Sequence, residues 1–155
     1  RFFSSSPEKT LTIPSTAYKV ITVGAYDAAY ESYADFSGRG CCFSDQKGLF
    51  AGGSGSIKPD LAAPGVNVQT LGLNGETRIV TGTSFATPFV TGSAALLMEW
   101  GIVQGNDPFL YGEKVKAYLR KGARPLRGEA EYPNDRVGYG RLCLESSLPV
   151  VDRNI

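Results

Sequence analysis

The 155-residue chain contains no histidine. It therefore cannot furnish by itself the imidazole base of a Ser-His-Asp triad, nor a histidine ligand for a metal. An excess of charge is also lacking: 16 basic and 15 acidic residues leave a net +1. That balance argues against a nucleic-acid groove or an anionic membrane surface as partner. Cysteine is scarce and odd in number. Cys41 and Cys42 are adjacent and Cys143 stands alone, so no disulfide framework and no metal spacing is expected; the thiols read as small buried or free side chains. No unbroken apolar run reaches about 18 residues, so no transmembrane helix is expected. The apolar part of Arg1-Phe2-Phe3-Ser4-Ser5-Ser6 is too short for a signal peptide, and this start reads as an internal cut point.

What is present is ordinary for a globular protein: 42% apolar and 20% charged residues. The length suits one domain or part of a larger one, burying about 70% of its unfolded surface. Val20-Ile21-Thr22-Val23-Gly24-Ala25 reads as a strand buried on both faces, as in a parallel sheet. Residues 35–59 read as a long loop, with Gly52-Gly53-Ser54-Gly55-Ser56 its most flexible part. Leu61-Ala62-Ala63-Pro64-Gly65 reads as a turn, followed by a strand over Val66–Leu71. Asn74-Gly75 is a hairpin signal, with Thr77–Thr81 as the returning strand. Ser84–Trp100 is apolar almost all round, a pattern that predicts a central, buried helix. Pro88 falls in its first turns, and Gly101 fits as its stop. A second helix is expected over Gly112–Lys121. Val115, Tyr118 and Leu119 form its apolar side, and Glu113, Lys114 and Lys116 lie in water. Residues 138–144 form a turn into a last short strand or helix. Strands mixed with a central helix predict an α/β sandwich.

The most informative segment is Thr81-Gly82-Thr83-Ser84-Phe85-Ala86-Thr87-Pro88. A serine between a glycine turn and an apolar helix can lie at the helix N-terminus, where free N–H groups and the dipole favour negative charge. An acyl-transfer nucleophile needs that setting. Serine at a helix start is, however, most often just an N-cap.

Several segments agree in order: Ile13-Pro14-Ser15-Thr16-Ala17 and the strand Val20–Ala25, then Ala34-Asp35-Phe36-Ser37-Gly38-Arg39-Gly40. Lys58-Pro59-Asp60-Leu61-Ala62-Ala63-Pro64-Gly65 and Gly82–Pro88 follow. This set resembles the C-terminal half of the catalytic domain of subtilisin-like serine proteases, peptidase family S8, over nearly all of residues 1–155. The resemblance implies a three-layer α/β sandwich with a mostly parallel sheet, of which this chain is only the C-terminal portion. It implies a serine endopeptidase acting through Ser84 as nucleophile, whose own N–H is one oxyanion donor. The Asp, the His and the oxyanion Asn would lie upstream of Thr10–Ser15 and are absent here; Asn67, Asn74 and Asn106 do not fall at the matching place and read as turn or cap residues. Asp27, Asp35 and Asp60 read as structural, and Arg78 and Arg141 as solvated or paired charges.

By the same resemblance, Leu11, Thr12 and Ile13 line part of the substrate pocket. No cofactor is expected, although the loop matching Ser15–Val20 binds Ca2+ or a monovalent cation through carbonyls in many members. Phe85 stands where members most often carry Met, a swap that apolar packing tolerates. The N-terminal segment is similar to the clostridial Csp-type branch linked to spore germination. The expected partners are a peptide or protein substrate and the missing N-terminal half; the expected location is secreted or envelope-associated, including the spore. The isolated chain should be inactive and, with apolar surface open, should form homo-oligomers, swap segments or need its missing half. The alternative is a pseudoprotease or interaction module that keeps the fold without the triad.

Overall fold

The computed structural model describes residues 8–40 and 57–149. Arg1-Phe2-Phe3, Cys41, Cys42 and the stretch Gly52–Ser56 lie outside the described residues.

Strand β1 (Val23–Asp27) and strand β3 (Leu61–Pro64) pair in parallel, with Val23 opposite Leu61 and Tyr26 opposite Pro64. The short β2 (Ser32–Tyr33) pairs antiparallel on the other edge of β1. The strand expected from Val20 thus begins three residues later, at Val23. The turn expected at Leu61–Gly65 is instead the buried partner of β1. Its proline misleads because Pro64 is the last strand residue. The next ladder bond is given by Gly65, whose N–H donates to Tyr26 O at 3.0 Å.

Alternation along the two strands divides the interior. Ala25, Leu61 and Ala63 belong to one core with Ala86, Val90 and Leu97. Tyr26 and Ala62 belong to a second core with Leu126 and Val137. Helix α1 (Thr83–Met98) lies on β1 and β3 at the first face. The irregular segment 123–142 covers the second. Ala62 also bridges to that segment: its N–H donates to Gly140 O at 2.9 Å, and Leu142 N–H donates to Ala62 O at 2.8 Å. The result is a layered α/β arrangement, in which β1 and β3 form the parallel pair among the described strands.

Strands β4 (Val68–Leu71) and β5 (Thr77–Val80) form a separate antiparallel hairpin. It turns at Asn74-Gly75, where Gly75 has φ of 75°, as that dipeptide predicts.

Helix α1 buries Ala86, Val90, Ser93 and Leu97, a single stripe at helical spacing. Phe89 and Leu96, on other faces, are exposed. Burial all round is therefore not what this chain provides: composition makes a helix apolar but does not say what covers each face. Thr83–Val103, 21 residues, is long and apolar enough by length and composition to cross a membrane. A search for an unbroken apolar run misses it, because threonine, serine and glycine interrupt the run. The stripe packed on β1 and β3 is that of a core helix.

The helix does not stop at Gly101 either. It continues as one π-helical segment, Glu99–Val103, and Gly101 is a packing residue: a Cβ there would come within 2.6 Å of Leu110 Cδ2. Helix α2 (Glu113–Gly122) buries Val115, Leu119 and, unexpectedly, Lys116. The last element is the short α3 (Leu144–Ser147), packed on α2.

Candidate active site

The junction between β5 and α1 sets the position of Ser84. Gly82 is the residue before the helix, with φ of 154° and ψ of 157°, and its N–H donates to Gly65 O at 2.8 Å. A Cβ on Gly65 would lie 2.6 Å from Ala25 Cβ, so glycine lets β3, β1 and the start of α1 meet. Gly82, not Ser84, holds the N-cap position, and no side chain caps the helix. Ser84 is the second helical residue, exposed, and among the described residues its hydroxyl makes no hydrogen bond. Its backbone N–H is likewise without a partner among the described residues; the first turn closes instead through Phe85 N–H to Gly82 O at 3.0 Å. Pro88 is the sixth helical residue, beyond the first turn. Lacking an N–H, it leaves the Ser84 carbonyl without its helical donor.

Ser84, Thr83 and Thr87 form one wall of a cleft of about 750 Å³. Thr10, Leu11, Thr12, Pro14, Ser15, Val20–Val23 and Asp35–Arg39 line the rest of it. Leu11 and Thr12 thus share a cleft with Ser84, whereas Ile13 is 89% exposed and does not line it. Two of these lining segments are tied together. Thr10 N–H donates to Arg39 O at 2.8 Å and Arg39 N–H to Thr10 Oγ1 at 2.8 Å. Ser37 Oγ accepts from Ala25 N–H at 2.9 Å, anchoring the Asp35–Arg39 side to β1.

The lining residues Val20 and Thr22 are tied to buried charge. Asp60 is fully buried, and its Oδ2 accepts from Thr22 N–H at 2.6 Å and from Lys58 Nζ at 2.8 Å. Its Oδ1 faces Lys116 Nζ at 3.1 Å and pairs with Arg120 Nη2. Lys58 Nζ also donates to Val20 O at 2.7 Å, and Lys116 Nζ to Tyr18 O at 2.7 Å and Val20 O at 3.0 Å. Thr22 Oγ1 donates to Ser15 O. Burial alone would raise the Asp60 carboxyl, but the hydrogen bonds from Lys58 and Thr22, with the nearby Lys58 and Arg120 charges, hold it below its ordinary value. Burial pushes the Lys116 ammonium down to about 8, against the pull of Asp60. This cluster was not legible in the sequence. Lys116 occupies a helix position with the pattern of a solvated lysine, and only the fold brings it under the 15–22 loop. The other expected structural charges are paired as simpler couples: Arg141 with Glu31 at 2.8 Å, and Arg78 with Glu76 at 2.7 Å.

Elsewhere, Cys143 is half-buried and free. A hydrogen bond with Ser146 and the neighbouring Arg124 lower its thiol below the ordinary value. Among the described residues no group of three His, Cys, Asp or Glu side chains could hold a metal ion.

Known proteins resemble this chain in sequence and fold. The model of the subtilase family, Peptidase S8, matches residues 3–140. The structure of the Clostridium perfringens CspB protease superposes with a TM-score of 0.80 at 44% identity, covering 95% of this chain and 29% of that one. The prenylagaramide maturation protease PagA gives a TM-score of 0.64 at 30% identity over 87% of this chain and 43% of that one. Serine protease AprX of Bacillus subtilis is 32% identical over 94% of this chain and 34% of its own length. The chain thus spans about a third or less of the curated relatives it matches first. A uncommitted serine at a helix start, beside a cleft, agrees with this likeness, and the chain belongs to the subtilase family of serine peptidases.

Proposed function

We propose that this chain is the serine-bearing portion of an endopeptidase, and that Ser84 is its nucleophile. The observation that carries the reading is the position of Ser84: second in α1, exposed, with hydroxyl and N–H both uncommitted among the described residues, in the lining of a cleft of about 750 Å³. Ser84 Oγ attacks the scissile carbonyl and its proton passes to a histidine outside this chain, which later protonates the leaving amine. The Ser84 N–H stabilises the oxyanion, with a second donor, an Asn side chain, also supplied from outside. Loss of one such side-chain donor in subtilisin itself lowers kcat about 10²–10³-fold. A hydroxyl with no adjacent base is a poor nucleophile. The 155 residues alone are therefore inactive, and the rest of the catalytic domain is their obligate partner. Leu11 and Thr12 contribute to the substrate pocket, and the substrate is a peptide or protein. Bacterial relatives such as the cell wall-associated protease of Bacillus subtilis support a secreted or envelope location. The similarity to CspB of Clostridium perfringens supports the Csp-like branch and a spore-associated role.

The test is labelling by a fluorophosphonate probe, read by intact mass, on the 155-residue chain and on the full-length protein. Labelling at Ser84 in the full-length protein only is the expected result. Labelling of neither would replace the endopeptidase with a pseudoprotease that keeps the fold for binding.

A further inference from the structure

Three carbonyls of the 15–22 loop, those of Ser15, Tyr18 and Val20, accept hydrogen bonds from side chains. Thr22 Oγ1 takes Ser15 O, Lys116 Nζ takes Tyr18 O and Val20 O, and Lys58 Nζ takes Val20 O as well. Both ammonium groups then converge on Asp60, Lys58 at 2.8 Å and Lys116 at 3.1 Å. Two carbonyls and a buried carboxylate around a compact positive charge form an oxygen set of the kind that hard cations take. Here the positive charge is covalently attached. Lys116 is 6% exposed and Lys58 1%, so neither is a surface lysine that strays into the site. From the remaining side stands Arg120, its guanidinium on Asp60 Oδ1, and the Tyr18 ring lies 5.6 Å from Lys116 Nζ. One carboxylate therefore faces three cations. Among the described residues Asp60 is the one carboxylate paired with these cations, and a further metal ion would meet repulsion from all three.

We infer that Lys116, with Lys58, is a built-in counter-cation that fixes the 15–22 wall of the cleft, in the place that the family resemblance offers to a Ca2+ or monovalent cation. Lys116 is thus a positioning residue: it reaches from α2 across to the loop and holds Val20 in the lining of the cleft that Ser84 shares. A metal-dependent wall is exchanged for one that needs no ion from the medium. The inference adds to the reading of Ser84 as nucleophile, and its main test does not require turnover.

The experiment is hydrogen exchange, by mass spectrometry, of the peptide spanning 15–23 in the full-length protein. It is run at equal ionic strength with Na+, K+, Ca2+ or a chelator. The expected result for the parent is the same protection in all four. Lys116→Met keeps the side-chain length but removes the donors, and exchange in this peptide should become about tenfold faster while peptides of α1 are unchanged. KM for a peptide substrate should rise about tenfold, with kcat held within about twofold. Saturable slowing of exchange in this peptide by one cation in the parent would overturn the inference, and that arm stands even if the variant does not fold. So would a folded Lys116→Met protein whose 15–23 peptide exchanges as slowly as the parent's. Absence of turnover in the parent would count against the endopeptidase reading and leave the exchange result to decide this one.

Discussion

At the scale of single residues, two side chains separate chemistry from scaffolding. Ser84 is released from capping because Gly82 takes the N-cap, so its hydroxyl has no structural duty among the described residues. Ser84→Ala in the full-length protein should abolish probe labelling and lower hydrolysis by about 10³–10⁶-fold, with urea unfolding shifted little. A large loss of stability would instead make Ser84 a structural residue. Lys116 carries the opposite signature, a charge held inside at a cost. Its folded-state value of about 8 lies below that of an unfolded lysine, about 10.4. Between these values the unfolded chain binds more protons than the folded one, so this group makes stability rise with pH, by at most about 1.4 kcal/mol per unit. Below about pH 8 the burial cost is present in full. Urea midpoints of the full-length protein and of Lys116→Met, compared from neutral pH to pH 10, should diverge in that direction: the parent gains on the variant. Parallel curves would show that Lys116 keeps an ordinary proton affinity.

At the scale of elements, α1 is the structure's main joint. Its inner stripe packs on β1 and β3, and its first turn presents Ser84. Small residues permit the close approach: Ala25 and Ala63 on the strands, Ala86 on the helix and Gly65 at the junction. Leu97 is fully buried in that stripe, whereas Leu96 is half-exposed. Leu97→Ala should cost about 2–5 kcal/mol wherever it is measured, because it leaves a cavity in the first core. Leu96→Ala should cost less than about 1 kcal/mol in the 155-residue chain but about 2 kcal/mol or more in the full-length protein, where the proposed partner covers that face. Chemical unfolding of the four proteins checks this. Equal small losses from Leu96→Ala in both contexts would mean that the face stays open.

For the molecule as a whole, the apolar side chains left in water are the main fact. Phe89 and Leu96 on α1, and Leu71 and Ile79 on the hairpin, are exposed on a chain that covers 34% of the length of AprX and 29% of the CspB structure. Open apolar surface of this kind drives association. Sedimentation of the isolated 155 residues should show a weight-average mass that rises with concentration, and addition of the remaining catalytic domain should suppress that rise. A monomer at all concentrations would show that the chain covers these faces itself.

The sequence alone determined what rests on local chemistry. Asn74-Gly75 specified the hairpin because glycine accepts a positive φ, and the apolar run from Phe85 specified a helix. The ordered motifs around Lys58–Gly65 and Gly82–Pro88 specified the family and, with it, Ser84 as the residue to examine. Other features depended on contacts between residues far apart in the chain. Leu61–Pro64 is a strand only because β1 lies alongside it to accept the ladder bonds, which a proline at the strand's end does not interrupt. Gly101 is needed for Leu110, not for stopping a helix. Lys116 is buried because Tyr18, Val20 and Asp60, 98 to 56 positions away, supply oxygen atoms to its ammonium. A lysine in a sequence shows its charge but not its counter-charges; the tertiary structure alone decides whether water or a carboxylate receives it.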